Sequence, residues 1–247
     1  MPREFQNDET LSHKQLNRQS TSLVIPQLTR VRIQNSMYYK INLDPCAQRG
    51  LNMKQLSKTL VQNLGTVRSG VRNFRLACGG VEFKCLLMKL VQLRPTWSEI
   101  VLLLKRGHPE KSKFDNKYLV VLLLVYLRVQ YFYLTWNDNE ERRAINTLAD
   151  LDSQGDVTAE KLVNVFRFFI RDYRKIKSLP LDQDFWSNSF DKQAVVLHVD
   201  EILDWLCTEE SIWGLPLGKC RWCDIFADYS SSESSSEESD EDPEVSG

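Results

Sequence analysis

The chain has 247 residues, 42% apolar, 26% charged and 10% aromatic, with a formal net charge of −1. That length and apolar content support a buried core and exclude a collagen-like chain, a disulfide-held mini-protein and a wholly disordered one. The near-neutral total conceals an asymmetry. Residues 229–247 hold seven acidic residues, eight serines and no Lys or Arg, so 32 basic residues face 26 acidic ones elsewhere, a net of +6 against −7. A basic globule with an acidic streamer fits a macromolecular assembly better than small-molecule catalysis.

Residues 1–19 are polar and read as a flexible N-terminus; they carry acids and no apolar stretch, unlike a signal peptide. Residues 36–64 show helical spacing, clearest in Met53, Leu56, Leu60 and Leu64, with Gly65 as a stop. Residues 65–80 contain Gly65, Gly70, Gly79 and Gly80 and read as a loop. Phe83, Leu86, Leu87 and Leu90 mark the apolar face of a second helix, which Arg94-Pro95 ends. Thr96 and Glu99 form a capping box for a third helix, which Gly107-His-Pro109 terminates.

The fourth helix, about 116–134, is apolar nearly all round from Tyr118 to Leu127, which places it at the centre of a bundle. Its ten apolar residues end at Arg128 and span about half of a bilayer core, so the segment predicts a buried helix and no membrane span. Residues 137–160 form a polar, acidic, insertion-like loop. Leu162, Phe166, Phe169, Ile170, Tyr173 and Ile176 predict a fifth helix. Residues 185–190 and 194–199 predict a short β-hairpin, and Val199, Ile202, Leu203 and Leu206 a sixth helix capped by Asp200. The expected fold is thus mainly α: one multi-helix domain over 20–226 around a central apolar helix, with a small β-hairpin and a disordered Ser/acidic tail at 229–247.

Motifs for chemistry are sparse. Asp150, Asp152, Gly155, Asp156 and Val157 imitate a calcium-binding EF-hand loop, but Gln154 is a poor fifth-position ligand and Lys161 stands where a bidentate Glu is needed. Calcium binding is therefore the lesser alternative. Cys220 and Cys223 form a CxxC with Cys207 and His198 upstream; the spacing is irregular for zinc, and the context is not that of a redox helix, so no metal is expected. The Gly-Leu-Pro-Leu-Gly-Lys-Cys run at 214–220 is one residue short of a phosphate-binding P-loop and ends in Cys where Ser or Thr is required. Only three histidines occur and no hydrolase constellation is present, so no catalytic residues, cofactor or small-molecule substrate are expected. Six scattered cysteines without a framework pattern point to a reducing compartment.

Interaction features are more numerous. The fifth helix carries Arg167, Arg171, Arg174, Lys175 and Lys177 as one basic stripe opposite its aromatic face, suited to an acidic partner or RNA phosphates. Asp200, Glu201 and Asp204 give an acidic face on the sixth helix, and Trp205, Trp213 and Trp222 are candidate interface anchors as well as candidate core. Ser230, Ser234, Ser235 and Ser239 each have an acid three residues on, the spacing of an acidophilic-kinase substrate.

The Ser/acidic tail and the run 214–222 resemble the fungal members of the pre-mRNA-splicing factor 38 family, and several other segments resemble the family as a whole. They are Ile-Gln-Asn-Ser-Met-Tyr-Tyr-Lys at 33–40, the run 83–95, Lys-Tyr-Leu at 117–119 through Tyr-Leu-Arg at 126–128, Asp-Tyr-Arg-Lys-Ile-Lys at 172–177 and His-Val-Asp-Glu-Ile-Leu-Asp at 198–204. The resemblance implies a nuclear, non-enzymatic component of the spliceosomal tri-snRNP that acts when the paired small nuclear RNAs are separated. It implies a helical scaffold for other splicing proteins, including a zinc-finger protein and a partner that docks by helical segments. A direct RNA-binding module using the basic face is the alternative, with small nuclear RNA as the partner.

Overall fold

The computed structural model describes residues 25–44, 52–64, 66–67, 77–106, 114–134, 147, 150–152, 154–179 and 194–226. Helix formation starts after Pro26, whose fixed φ suits the first turn: α1 spans Gln27–Asn35, and Ser36 turns the chain into the short α2, Met37–Asn42. The Ser36 hydroxyl makes that corner by accepting the Tyr39 N–H at 3.3 Å and donating to the Ile33 carbonyl at 2.7 Å. Helix α3, Met53–Leu64, buries Leu56, Leu60 and Leu64, the face its spacing predicts. Helix α4, Val81–Leu93, stops because Pro95 bars the residue before it from helical geometry; Arg94 takes φ +51° instead. The capping box opens α5, Trp97–Arg106: the Thr96 N–H donates to Glu99 Oε2 at 2.9 Å and the Glu99 N–H to Thr96 Oγ1 at 3.4 Å.

Helix α6, Lys117–Gln130, is the centre of the molecule, and every residue from 118 to 130 is buried. Helix α7, Ala159–Phe169, starts at Thr158, whose hydroxyl accepts the Lys161 N–H. Helix α8 covers Val199–Thr208. Around α6 pack α3, α4, α5 and α8, while α7 lies against α8 and a 3-10 turn at Arg221–Cys223. These eight helices of the described residues share one continuous apolar core. No described helix is long and apolar enough to cross a membrane.

Three small antiparallel ribbons decorate the helices. Strand β1, Thr66–Val67, pairs with β2, Phe114–Asp115; β3, Lys175–Ser178, pairs with β4, Val195–His198; β5, Ser211–Ile212, pairs with β6, Leu215–Pro216. The last hairpin turns on Trp213 and Gly214, both at positive φ, the geometry that matches strand twist in a two-residue loop. Gly79 sits where the β3–β4 ribbon meets the core. Its φ is +75°, and an added Cβ would lie 2.5 Å from Trp213 Cγ and 2.7 Å from the Leu179 carbonyl oxygen.

Beyond the unpredicted α1 and the break between α2 and α3 within 36–64, the fold departs from the sequence reading at four places. First, the fifth helix ends at Phe169, and residues 175–178 are strand, because Cys78 and β4 supply a ladder. The Cys78 N–H donates to the Lys177 carbonyl at 2.8 Å, and the Leu179 N–H to the Cys78 carbonyl at 2.8 Å. Second, the strand expected at 194–199 forms, but its partner is β3 with Lys177 opposite Val196. The partner expected at 185–190 lies outside the described residues. Third, the helix starting at 199 is capped through His198, whose N–H donates to Glu201 Oε2 at 2.8 Å, and not by Asp200. Fourth, the loop expected over 65–80 contains β1. The stops at Gly65 and 107–109, the termini 1–19 and 229–247, and most of the 137–160 loop fall outside the described residues.

Candidate partner-binding surface

The basic residues expected on one helical face belong to three different pieces of structure. Arg167 lies on α7, half-buried. Arg171 is exposed in the turn that follows. Arg174 is drawn onto Asp172: its Nε donates to both carboxylate oxygens at 2.8 and 3.0 Å, and Nη2 lies 2.5 Å from Oδ2. Lys175 and Lys177 alternate with buried Ile176 and Ser178 along β3, so both point to solvent from the same side. The helical stripe is thereby corrected to a ribbon face plus a neighbouring turn. Cross-strand pairing sets Val196 beside Lys177 and His198 beside Lys175 on that outer face. Val196 is 57% exposed and Tyr173 is 69% exposed, so apolar surface accompanies the charge.

The acidic trio also separates. Glu201 caps α8, and Asp200 is half-buried with its Oδ1 enclosed and without a hydrogen-bond partner, so neither is a free surface acid. Asp204 alone of the three has an exposed side chain without a capping role. The tryptophans divide as well. Trp222 is fully buried, donates from Nε1 to the Tyr131 carbonyl at 2.8 Å and meets the Phe166 ring edge-on at 5.0 Å. Trp213 is buried, donates to Ser178 Oγ at 2.9 Å and packs edge-on against Phe83. Both are core residues rather than exposed anchors, because each indole N–H finds its acceptor inside the chain. Trp205 is half-buried and, with Val195, Leu197 and Ile212, lines an open cavity of about 200 Å³ behind the ribbon. Ser230, Ser234, Ser235 and Ser239 lie outside the described residues.

The EF-hand imitation contains its own cation. The Lys161 ammonium donates to the Gln154 carbonyl at 2.6 Å and the Asp156 carbonyl at 3.2 Å and lies 3.7 Å from Asp152 Oδ2. Trp97 Nε1 and Lys105 Nζ take the Asp152 and Leu151 carbonyls. Residues that would donate to Ca²⁺ are thus already engaged by donors from the protein. No cluster of three or more His, Cys, Asp or Glu among the described residues is arranged to hold a metal ion.

The architecture is that of a many-helix domain carrying a charged and apolar ribbon face, and comparison with known proteins makes the class specific. The PRP38 family pattern matches residues 14–228. The chain is 41% identical over 234 residues to pre-mRNA-splicing factor 38 of Saccharomyces cerevisiae, covering 94% of this chain and 90% of that protein. The chain belongs to the PRP38 family, which places it among pre-mRNA-splicing factors. Its fold is similar to a chain in the crystal structure of the Snu23–Prp38–MFAP1(217–258) complex of Chaetomium thermophilum, with a TM-score of 0.51, 20% identity and coverage of 92% of this chain and 87% of that one.

Proposed function

We propose that this protein is a non-enzymatic scaffold of the spliceosomal tri-snRNP, working in the nucleus at spliceosome activation, when the paired small nuclear RNAs separate. The observation that carries this reading is the 41% identity to the yeast splicing factor over nearly the whole chain. The rigid core built on α6 suits a scaffold, since each fully buried Leu or Phe contributes roughly 1.5–3 kcal/mol and the central helix is buried along its length. Its partners, in this reading, are splicing proteins, among them a zinc-finger protein and one docking by helical segments, counterparts of the two proteins bound in the Chaetomium complex. We assign partner contact to the outer face of the β3–β4 ribbon, with Lys175, Lys177 and Val196, flanked by Arg171 and Tyr173. Opposite charges there would set orientation and on-rate, and the exposed apolar groups would set lifetime.

The same three cations favour a second reading, direct contact with small nuclear RNA. Affinity purification of the full chain from nuclear extract, with and without RNase, separates the two. A scaffold retains its protein partners after RNase; loss of all partners on RNase treatment supports the RNA-binding reading. Recovery of no splicing component would defeat both.

A further inference from the structure

Three exposed cations, Arg171, Lys175 and Lys177, open the β3–β4 ribbon, and none forms an ion pair among the described residues. Their neighbour Arg174 is already held by Asp172, and Lys161 by the carbonyls of the acidic loop. The backbone beneath them is tied on both edges. Strand β4 pairs with one edge of β3. On the other, the Lys177 N–H donates to the Tyr118 hydroxyl at 3.1 Å, and the Lys177 carbonyl accepts the Cys78 N–H at 2.8 Å. Lys175 and Lys177 therefore stand on one side of a fixed strand, about 7 Å apart along it. Such a row of uncompensated cations suits a ligand with negative charges at the same repeat.

This chain carries one. Residues 229–247 hold seven acidic residues and no Lys or Arg, and within them Glu238, Asp240, Asp242 and Glu244 occupy every second position. In an extended segment those four carboxylates share a face at the same repeat of about 7 Å. The ribbon and the root of the tail also flank one helix. Strand β4 runs directly into α8, and the 3-10 turn at Arg221–Cys223, just before the last described residue Phe226, packs on α8. That helix has ten residues and is about 15 Å long. The stretch from Phe226 to Glu238 reaches about 40 Å when extended, so the ribbon lies within its range.

We infer that residues 238–244 of this chain's own tail occupy the outer face of the β3–β4 ribbon, pairing with Lys175 and Lys177, as a tethered competitor of acidic partners. A short tether keeps the carboxylates at an effective concentration in the millimolar range, so a weak contact suffices to cover the face. Exposed ion pairs are individually weak and screened by salt. A partner with denser negative charge, or one that also covers the exposed Val196, therefore displaces the tail. Tail docking builds on the reading of this ribbon as the contact face, but it is measurable in the isolated chain. Its failure would leave that face open to partners, whereas loss of partner capture is read separately.

Carbodiimide crosslinking of the purified full chain, resolved peptide by peptide in a mass spectrometer, tests the contact. At low salt, amide links from the tail carboxylates should fall chiefly on Lys175 and Lys177. Lys219, the exposed lysine nearest the tail in sequence, and Lys54 and Lys58, an exposed pair on α3, serve as controls. The ribbon links should be lost at about 0.5 M NaCl, where the screening length falls to about 4 Å. Competition is read with a short polyglutamate peptide. Amidation of the tail face in the full chain, by Glu238→Gln, Asp240→Asn, Asp242→Asn and Glu244→Gln, changes no described residue. It should tighten polyglutamate binding about threefold, the competition expected when the tethered concentration is about twice the tail's own dissociation constant. In a Lys175→Glu, Lys177→Glu background the same amidation should have no effect. Links that favour Lys219 or spread evenly over the exposed lysines, links that join isotope-labelled to unlabelled copies, or unchanged polyglutamate affinity after amidation would each overturn the inference.

Discussion

Helix α6 is apolar at 11 of its 14 positions and the segment from α7 to β3 at 10 of its 20, and the first is fixed by its own sequence, the second by its neighbours. Every side of α6 is apolar over 119–127, so no orientation exposes it favourably, and only a central position buries it all. The segment 162–178 also has apolar residues at helical intervals, but the interval continues past the point where the helix stops. Ile170, Tyr173 and Ile176 keep a helix-like three-residue spacing while Ile176 and Ser178 alternate with Lys175 and Lys177 as on a strand, and the ladder offered by Cys78 and β4 decides for strand. Periodicity therefore determines structure where one face is unambiguous, and tertiary hydrogen bonds determine it where two periods fit equally.

The largest expected effect lies on the first side of that comparison. Leu123→Ala removes a fully buried side chain from the middle of α6, and should cost about 2–5 kcal/mol in urea unfolding. A loss under 1 kcal/mol would show that the core around α6 relaxes freely and is not a rigid strut.

Gly79→Ala probes the junction between the two regions. The substitution puts a Cβ into left-handed backbone, costing about 1–2 kcal/mol, and against Trp213 and the Leu179 carbonyl, costing about 1–3 kcal/mol more. A destabilisation of about 3 kcal/mol with partner capture restored at low temperature would place the effect in folding. Unchanged stability would mean that the ribbon is only loosely seated on the core.

A smaller effect follows from titration. Burial raises the pKa values of Cys78, Cys85 and Tyr38, with Cys85 carried up to about 12. Groups with raised folded-state values bind their protons more tightly when native, so their contribution is complete below the unfolded values. It is lost as pH rises from about 9 for the thiols and about 10 for tyrosine towards the folded values. Urea midpoints should be level between pH 7 and 8 and fall from pH 9 upward, and Cys85→Ala should flatten part of that fall.

The same contrast explains what was legible in the sequence. The helices with one clear apolar face, the Thr96 and Glu99 cap and the central helix could be read directly. The α1 segment was not read, because it buries only Thr29 and Ile33 and shows little periodicity; Pro26 at its start was the available signal. Trp213 and Trp222 could not be assigned between core and surface because the acceptors of their indole N–H groups, Ser178 and the Tyr131 carbonyl, are 35 and 91 residues away. In the acidic loop, by contrast, Lys161 at the final ligand position was a visible sign that the protein supplies the cation itself.

The smallest expected effect on stability is also the sharpest test of the ribbon. Lys175 and Lys177 point to solvent beside Val196 and form no ion pair among the described residues. Reversing both, Lys175→Glu with Lys177→Glu, should change unfolding free energy by less than about 0.5 kcal/mol, the usual range for exposed positions. Partner capture at physiological salt should nevertheless weaken, since two like charges replace two complementary ones at the assigned contact. On a helix, side chains two residues apart diverge by about 200° and act separately; on β3 they share a face and should act together. Comparable losses from each single reversal, with a larger loss from the pair, would support the strand arrangement. Full capture by the double variant would leave this face to solvent and move the partner site elsewhere on the scaffold.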